Sequence, residues 1–369
     1  MFKRMQSMQM KALHCFQTVS PERHEYRAII ALHNTRLGPA LGGCRCLHYD
    51  HEQSAFDDAM RLAQGMSYKA ALANMAQGGG KAVILLPKGI ALEDINREHL
   101  FTWFGRCVDS LNGQYITAMD VGTQVNDMDI IARQTRHVAS ASNIGDPAQS
   151  TAQGVMVGIR AALDFNLGLC HSENVIDGKT FAIQGLGHVG WRVAKELLKQ
   201  GGQVIAADPD EEKCWQGQAL GMTIVDVPSI LMHPCDDLVP CALGAVIHAD
   251  NVMQLACKIV AGSANNQLAH DGIAEQLAQR GILYAPDYII NAGGLIFAAM
   301  QYAAGDDKVL LDSQIKEKIE GIYDTLSEIF QLAQIQGSNI NAVANALALQ
   351  RLQSGNPSRQ NKGAVYDAA

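Results

Sequence analysis

The segment from Gly65 to Lys81, G-M-S-Y-K-A-A-L-A-N-M-A-Q-G-G-G-K, carries two lysines in glycine-rich surroundings, and Asp120 follows in T-A-M-D-V-G-T. Much further on comes Gly185-Leu186-Gly187-His188-Val189-Gly190. Two cations and a carboxylate can hold an anionic substrate, supply a base and move a proton, while the glycine motif can seat a dinucleotide. Together they point to oxidative removal of an amino group. Lys81 follows Gly78-Gly79-Gly80, which leave room for a ligand, and precedes a run of apolar residues. A lysine so placed can be desolvated until it is a usable base near neutrality, but the same residues also read as a flexible turn. Lys69, taken alone, reads as a solvated cation near the negative end of a helix dipole.

The G-x-G-x-x-G pattern gains weight from its context. With 34 glycines in 369 residues, about 0.3 matches arise by chance. Here a β-type segment enters the motif, a helical pattern leaves it, and Asp208 ends the next strand. Glycines permit the tight turn and let backbone approach a pyrophosphate on the helix N-terminus, and the acid can accept hydrogen bonds from ribose hydroxyls. An acid with no adjacent arginine favours NAD over NADP, whose 2′-phosphate would face it.

The elements that must position these residues follow from periodicity. Residues 28–32 read as a strand and Gly38 to Gly43 as a loop. Phe56, Ala59, Met60, Ala63 and Met66 recur at helical spacing, carrying a helix from about Ser54 to Asn74 with Lys69 near its end. The triple glycine is expected to break the chain before a strand over 82–86. A helix over 93–111 and a strand over 115–118 follow, with Asp120 just past the strand's carboxyl end, where open α/β sheets bind ligands. From Thr151 the pattern becomes a βαβ series, with strands at 180–184, 204–207, 237–240, 258–261 and 282–285. A final helix is expected over 312–352, then a mobile polar tail over 354–363.

Composition excludes other classes. At 369 residues two domains are expected, and 48% hydrophobic against 18% charged residues is globular. A net charge of -8 offers no basic field for nucleic acid. No run approaches the roughly 20 apolar residues of a membrane span, and the first residues lack a signal-peptide core, so the expected compartment is the cytoplasm. Nine cysteines without a C-x-x-C pair and twelve scattered histidines predict neither a disulfide framework nor a metal site. Cys44 and Cys46 should share one face of an extended segment and read as small core side chains.

Read with their neighbours, L-G-P-A-L-G-G-C-R (37 to 45), R-L-A-Q-G-M-S-Y-K-A-A (61 to 71), Q-G-G-G-K-A-V-I (77 to 84), D-V-G-T (120 to 123), V-P-C-A-L-G-A (239 to 245), A-G-S-A-N-N-Q-L (261 to 268) and Y-A-P-D-Y-I-I-N-A-G-G (284 to 294) resemble the Glu/Leu/Phe/Val amino-acid dehydrogenase family, nearest its leucine, valine and phenylalanine members. The resemblance covers about residues 28 to 350, with the motifs in order. It implies a two-domain α/β fold. An N-terminal substrate and oligomerisation domain, 1–140, is completed by a C-terminal helix at 335–369, and a Rossmann-type NAD-binding domain, 141–334, is separated from it by a cleft.

The resemblance also implies roles. Lys69 would bind the substrate carboxylate, Lys81 would activate water and stabilise the carbinolamine, and Asp120 would shuttle the amino-group proton. Gly42 and Gly43 would let backbone approach the substrate, and Leu41, Ala118, Ile290 and Leu295 would line its side-chain pocket, with Asn291 nearby. Thr151, Cys241, Ala242 and Asn266 would join the glycine turn and Asp208 around NAD. Departures from the family pattern are a short stretch over 139–150, Met119 in place of an acid, and a segment over 295–307 without an expected acidic pair. The expected reaction is reversible NAD-dependent deamination of a branched aliphatic L-amino acid to its 2-oxo acid and ammonium, by a homo-oligomer with no nucleic-acid or membrane partner. An aromatic substrate such as phenylalanine is the alternative within the class, and an idle NAD-binding assembly protein the alternative outside it.

Overall fold

Five strands, β1 (Ala12–Val19), β2 (Glu25–Asn34), β3 (Ala40–Leu47), β4 (Gly78–Leu85) and β5 (Tyr115–Met119), form a mixed sheet in the order β1-β2-β4-β3-β5. A computed structural model describes residues 1–139, 142, 146–304 and 311–355. The chain forms two units, Met1–Gly145 with Ala298–Val309 and Ala348–Ala369, and Asp146–Phe297 with Leu310–Leu347.

In the first unit β1 and β4 flank β2 antiparallel, while β3 runs parallel to β4 and β5. Its helices are α1 (Phe2–Ser7), α2 (Glu52–Leu72), α3 (Arg97–Asp109) and α4 (Val125–Ala132). Strand side chains alternate between faces. Accordingly Ala28, Ile30 and Leu32 of β2 join a core with Phe101 and Phe104 of α3, while Ile29 and Ala31 join another with Ala55, Ala59 and Ala63 of α2. A sheet covered on both faces needs continuous apolar runs, and fully buried Phe101 and Phe104 each contribute about 1.5–3 kcal/mol. Cys44 and Cys46 face the first core together, as their spacing required.

The glycine-rich stretches behave differently from expectation. Residues 40–43 are strand rather than loop, and the triple glycine opens β4 instead of breaking the chain before it. A Cβ on Gly79 would lie 2.0 Å from the Ser67 amide of α2, and one on Gly42 would lie 1.7 Å from the Gly80 carbonyl. These glycines serve close approach within the sheet and under the helix.

The second unit begins with α5 (Pro147–Leu167), whose first turn is capped by Asp146 accepting the Ala148 N–H at 2.8 Å. It continues through β6 (Thr180–Gln184), α6 (His188–Lys199), β7 (Gln203–Ala207), α7 (Glu211–Ala219), β8 (Thr223–Ile224), β9 (Asp237–Pro240), β10 (Ile259–Val260), α8 (Gly272–Gln279), β11 (Leu283–Tyr284) and α9 (Asp287–Ile290). Then come α10 (Gly293–Ala304), α11 (Leu311–Gln336) and α12 (Ile340–Ser354). All six strands are parallel, in the order β11-β10-β9-β6-β7-β8. That is the doubly wound Rossmann-type arrangement, with its switch in strand order between β6 and β9. The single helix expected over 312–352 is divided, because α11 ends before Gly337 and the Asn339 side chain starts α12 by accepting the Asn341 N–H at 2.8 Å. Residues 356–363 of the expected tail lie outside the described residues, as do parts of the 139–150 and 295–307 segments. Among the described residues no helix is long and apolar enough to cross a membrane, and no group of three His, Cys, Asp or Glu side chains could hold a metal ion.

Asp237, the first residue of β9, is fully buried with both carboxylate oxygens lacking a hydrogen-bond partner. Burial drives its pKa well above the ordinary value, far outweighing the lowering influence of the nearby Ala261 backbone, and the neighbouring Asp236 adds repulsion. Because the folded-state pKa is raised, this carboxyl costs nothing by ionisation in acid and increasingly destabilises the unit as pH rises above the unfolded carboxyl's range. Asp237→Val is therefore expected to raise Tm, with a larger gain at pH 8 than at pH 5. Thermal unfolding at the two pH values checks this, and a gain independent of pH would contradict it.

Candidate active site

Lys81 lies within β4 and Asp120 one residue past β5, and the register of β3 between them brings the two together. Lys81 Nζ stands 2.8 Å from Asp120 Oδ2, with the side chains 7% and 22% exposed. Gly43 of β3 lies directly beside the pair. A Cβ there would sit 2.8 Å from Asp120 Cβ and 3.3 Å from Lys81 Nζ. The Asp120 N–H donates to Thr123 Oγ1 at 2.9 Å, and that oxygen lies 3.1 Å from the Cys44 carbonyl, tying D-V-G-T to β3. Ala118 is half-buried opposite Gly43 in the β3–β5 register, and Leu41 is buried on β3. The Gly42 carbonyl accepts the Tyr115 hydroxyl at 2.6 Å. Lys69 lies half-buried in the last turn of α2, two residues beyond the Ser67 that rests on Gly79.

Burial lowers the Lys81 pKa, the Arg45 guanidinium pushes the same way, and Asp120 only partly restores it. Burial alone would raise the Asp120 pKa, but Lys81 and then Arg45 outweigh it and hold the carboxyl below its usual range. The site thus contains a buried amine that gives up its proton more readily than an ordinary lysine, beside a persistent carboxylate.

In the second unit the strand ends converge around the glycine turn. Gly185 has φ +96, and a Cβ on Gly190 would lie 2.0 Å from the Gly185 carbonyl and 3.0 Å from Cys241 Cβ. Ala242 packs against Gly185 from β9's end, and the Cys241 N–H donates to the Gln184 carbonyl at 2.8 Å. Gly187 caps α6, and a Cβ there would meet nothing within 4 Å. Asp208, past β7, accepts the Leu186 N–H at 2.7 Å and the Asp210 N–H at 2.9 Å. Asn291 Nδ2 donates to the Ser263 carbonyl at 3.0 Å and to Asn265 Oδ1 at 2.9 Å, and the Asn266 N–H donates to Asp287 Oδ2 at 2.6 Å. A Cβ on Gly294 would lie 2.6 Å from Thr151 Oγ1, so the N-A-G-G turn meets the start of α5. Ile290 is different. It is fully buried, its side chain packed on Gly158 of α5, whereas Leu295 is half-buried on α10.

Two family models match the chain. "Glu/Leu/Phe/Val dehydrogenase, dimerisation domain" covers residues 11–137, and "Glutamate/Leucine/Phenylalanine/Valine dehydrogenase" covers residues 213–359. A leucine dehydrogenase of Bacillus subtilis (strain 168) is 40% identical over 338 residues, 90% of this chain and 89% of the relative. The chain belongs to the Glu/Leu/Phe/Val dehydrogenase family. A phenylalanine dehydrogenase of Bacillus thermotolerans is 40% identical over 339 residues, 89% of this chain and 85% of the relative. The crystal structure of an L-tryptophan dehydrogenase from Nostoc punctiforme superposes with a TM-score of 0.84 at 37% identity, covering 96% of this chain and 99% of that one. The protein is an amino-acid dehydrogenase, an oxidoreductase acting on the CH–NH2 group of its donor with NAD(H). That sets aside the idle NAD-binding reading.

The Rossmann-type unit of this family member fits NAD. The turn admits no side chain at Gly185 or Gly190, the open side of Gly187 leaves a pyrophosphate free access to the α6 N-terminus, and Asp208 stands at the next strand end. Residue patterns alone missed the partners around these groups. Arg45 Nε donates to Asp120 Oδ2 at 2.9 Å and its Nη1 to Asp58 Oδ2 at 2.8 Å. Arg45 lies two residues beyond Gly43 and hence on the same strand face, a signal that reading residues 40–43 as a loop hides. Lys213 was also missed. One helical turn past Asp210, its Nζ stands 3.3 Å from Asp210 Oδ2 and 3.8 Å from Asp208 Oδ1, a cation close to the acid at that strand end.

Three variants test these placements. Gly43→Ala should cut turnover by about 10²-fold while leaving NADH binding intact, since the methyl displaces Asp120 from Lys81. Normal turnover would show that the pair tolerates separation. NADH is expected to bind at least about tenfold more tightly than NADPH, because Asp208 meets the phosphate with like charge. Fluorescence titration checks this. Asp208→Ser should narrow the preference and Lys213→Ala widen it, whereas equal binding of both by the unmodified chain would show that Asp208 does not reach the ribose.

Proposed function

We propose that the protein catalyses reversible oxidative deamination of a branched aliphatic L-amino acid, of the leucine or valine type, to the 2-oxo acid and ammonium. The buried Lys81–Asp120 pair at Gly43 carries this reading. NAD supplies the acceptor for the hydride that leaves Cα. Lys69 holds the substrate carboxylate. Asp120 takes a proton from the substrate amine as the imine forms. Lys81, as the free amine, removes a proton from the water that adds to the imine carbon, and as the ammonium it stabilises the carbinolamine. Asp120 then returns a proton to the departing nitrogen, which leaves as ammonia, while Lys81, having passed its own proton to solvent, takes the carbinolamine hydroxyl proton as the carbonyl of the 2-oxo acid forms.

Support for the side-chain preference comes from Ala118. Facing Gly43 across the β3–β5 register, its methyl group shortens the space beside the pair. The leucine dehydrogenase relative accords with that choice. The phenylalanine and L-tryptophan dehydrogenase relatives, at comparable identity, favour an aromatic substrate as the second reading. Homo-oligomeric assembly through the first unit accords with the dimerisation domain matched there. The cytoplasm, where NADH and 2-oxo acids meet, is the compartment proposed.

A scan of 2-oxo acids with ammonium and NADH is expected to show fastest turnover with 4-methyl-2-oxopentanoate or 3-methyl-2-oxobutanoate. Ala118→Gly should shift kcat/KM toward phenylpyruvate, since one methyl group in a packed pocket is worth roughly 1–3 kcal/mol. An unmodified enzyme that prefers phenylpyruvate would replace the aliphatic reading with the aromatic one. Lys81→Ala should lose about 10²-fold or more in turnover with NADH binding retained. In the unmodified chain deamination should rise with pH through an inflection below the ordinary lysine value, because burial lowers the Lys81 pKa and the base is its deprotonated form.

A further inference from the structure

Asp120 shares one oxygen between two cations. Lys81 Nζ lies 2.8 Å and Arg45 Nε 2.9 Å from its Oδ2, and among the described residues no donor is bonded to its Oδ1. Arg45 is in turn fixed from behind. Its Nη1 donates to Asp58 Oδ2 at 2.8 Å, the Tyr49 hydroxyl donates to the same oxygen at 2.8 Å, and Arg61 Nη2 lies 2.9 Å from Asp58 Oδ1. The side chains of Arg45, Asp58 and Asp120 are 20%, 15% and 22% exposed, so this chain of charges differs from a solvated surface pair. It links α2, which carries Asp58, to β3, which carries Arg45, and to the residue after β5.

Resting on the reading of Lys81 and Asp120 above, we propose that Arg45, anchored by Asp58, is a positioning residue that aims the unbonded oxygen of Asp120 at the substrate amine and weakens the hold of Asp120 on the Lys81 proton. A planar guanidinium that uses Nε on one carboxylate and Nη1 on another fixes the angle between them, which an ammonium cannot do. Its charge also occupies Asp120. The guanidinium repels the nearby Lys81 ammonium, and this repulsion offsets part of the attraction that Asp120 exerts on it. The charged or titratable groups acting on Lys81 are Asp120 beyond β5 and, from β3, Arg45 and the buried Cys44 thiol. Among them Asp120 raises the Lys81 pKa and Arg45 lowers it, so deleting Arg45 removes a repulsion and leaves the attraction of Asp120 less opposed.

The test compares full-length Arg45→Gln and Arg45→Lys with the unmodified enzyme, measuring kcat and KM for deamination of the amino acid it turns over fastest, across pH, with Tm recorded for each. Arg45→Gln should lower kcat about tenfold with a smaller change in KM, and should move the alkaline inflection upward by about half a pH unit or more. Arg45→Lys should restore the inflection but not kcat, separating charge from position. An Arg45→Gln enzyme with an unshifted inflection and kcat within about twofold overturns the proposal. If Arg45→Gln does not fold, Arg45→Lys decides. Reduced kcat with an unshifted inflection supports positioning, and unchanged kcat refutes it. Lys81→Ala in the same series separates the two levels, because near-normal turnover there defeats the catalytic reading, whereas an inactive Lys81→Ala beside a silent Arg45→Gln defeats only the role of Arg45.

Discussion

A lysine almost closed off from water must either lose its proton or find an anion, and the first unit is arranged around that constraint. Lys81 finds Asp120 at 2.8 Å. Bringing the two together from different strands requires β3 to pass between them with no side chain at Gly43. Once the ion pair is buried, its own charges become interdependent. Asp120 stays ionised because of Lys81 and Arg45, Arg45 stays in place because of Asp58, and Asp58 is held below its usual range, against burial, by the Tyr49 hydroxyl with Arg45 and Arg61. The ion pair, the glycine and the arginine form one structural unit.

The second unit meets a different demand, for close approach of backbone to an extended anionic cofactor. Its answer lies at the carboxyl ends of parallel strands, where the α6 N-terminus, the Gly185–Gly190 turn and Asp208 converge, with Cys241 and Ala242 packed behind them. Lys213 stands 3.8 Å from Asp208, so a cation lies beside the acid at that strand end.

Much of this was legible in the sequence because its physical signal is local. The βαβ alternation, the strand into the glycine turn, Asp208 at a strand end and Lys81 between glycines and apolar residues each follow from periodicity or residue type. What escaped was set by contact. Gly42, Gly43 and Gly78 to Gly80 read as loop and breaker, because nothing in a sequence shows that α2 and neighbouring strands approach them too closely for a side chain. A loop reading of residues 40–43 hides the strand periodicity that puts Arg45 on the same face as Gly43. Asp237 had no signal, since a carboxylate beside Asp236 looks solvated until its strand is seen to be buried.

The most direct test of the buried, tuned amine is the titration of Lys81 itself in the free enzyme, by competitive acetylation across pH with mass-spectrometric readout of the Lys81 peptide. Lys81 should titrate below the ordinary lysine value of 10.5, and Gly43→Ala should change its midpoint by disturbing its contact with Asp120. A midpoint at or above 10.5 in the unmodified protein would contradict the account.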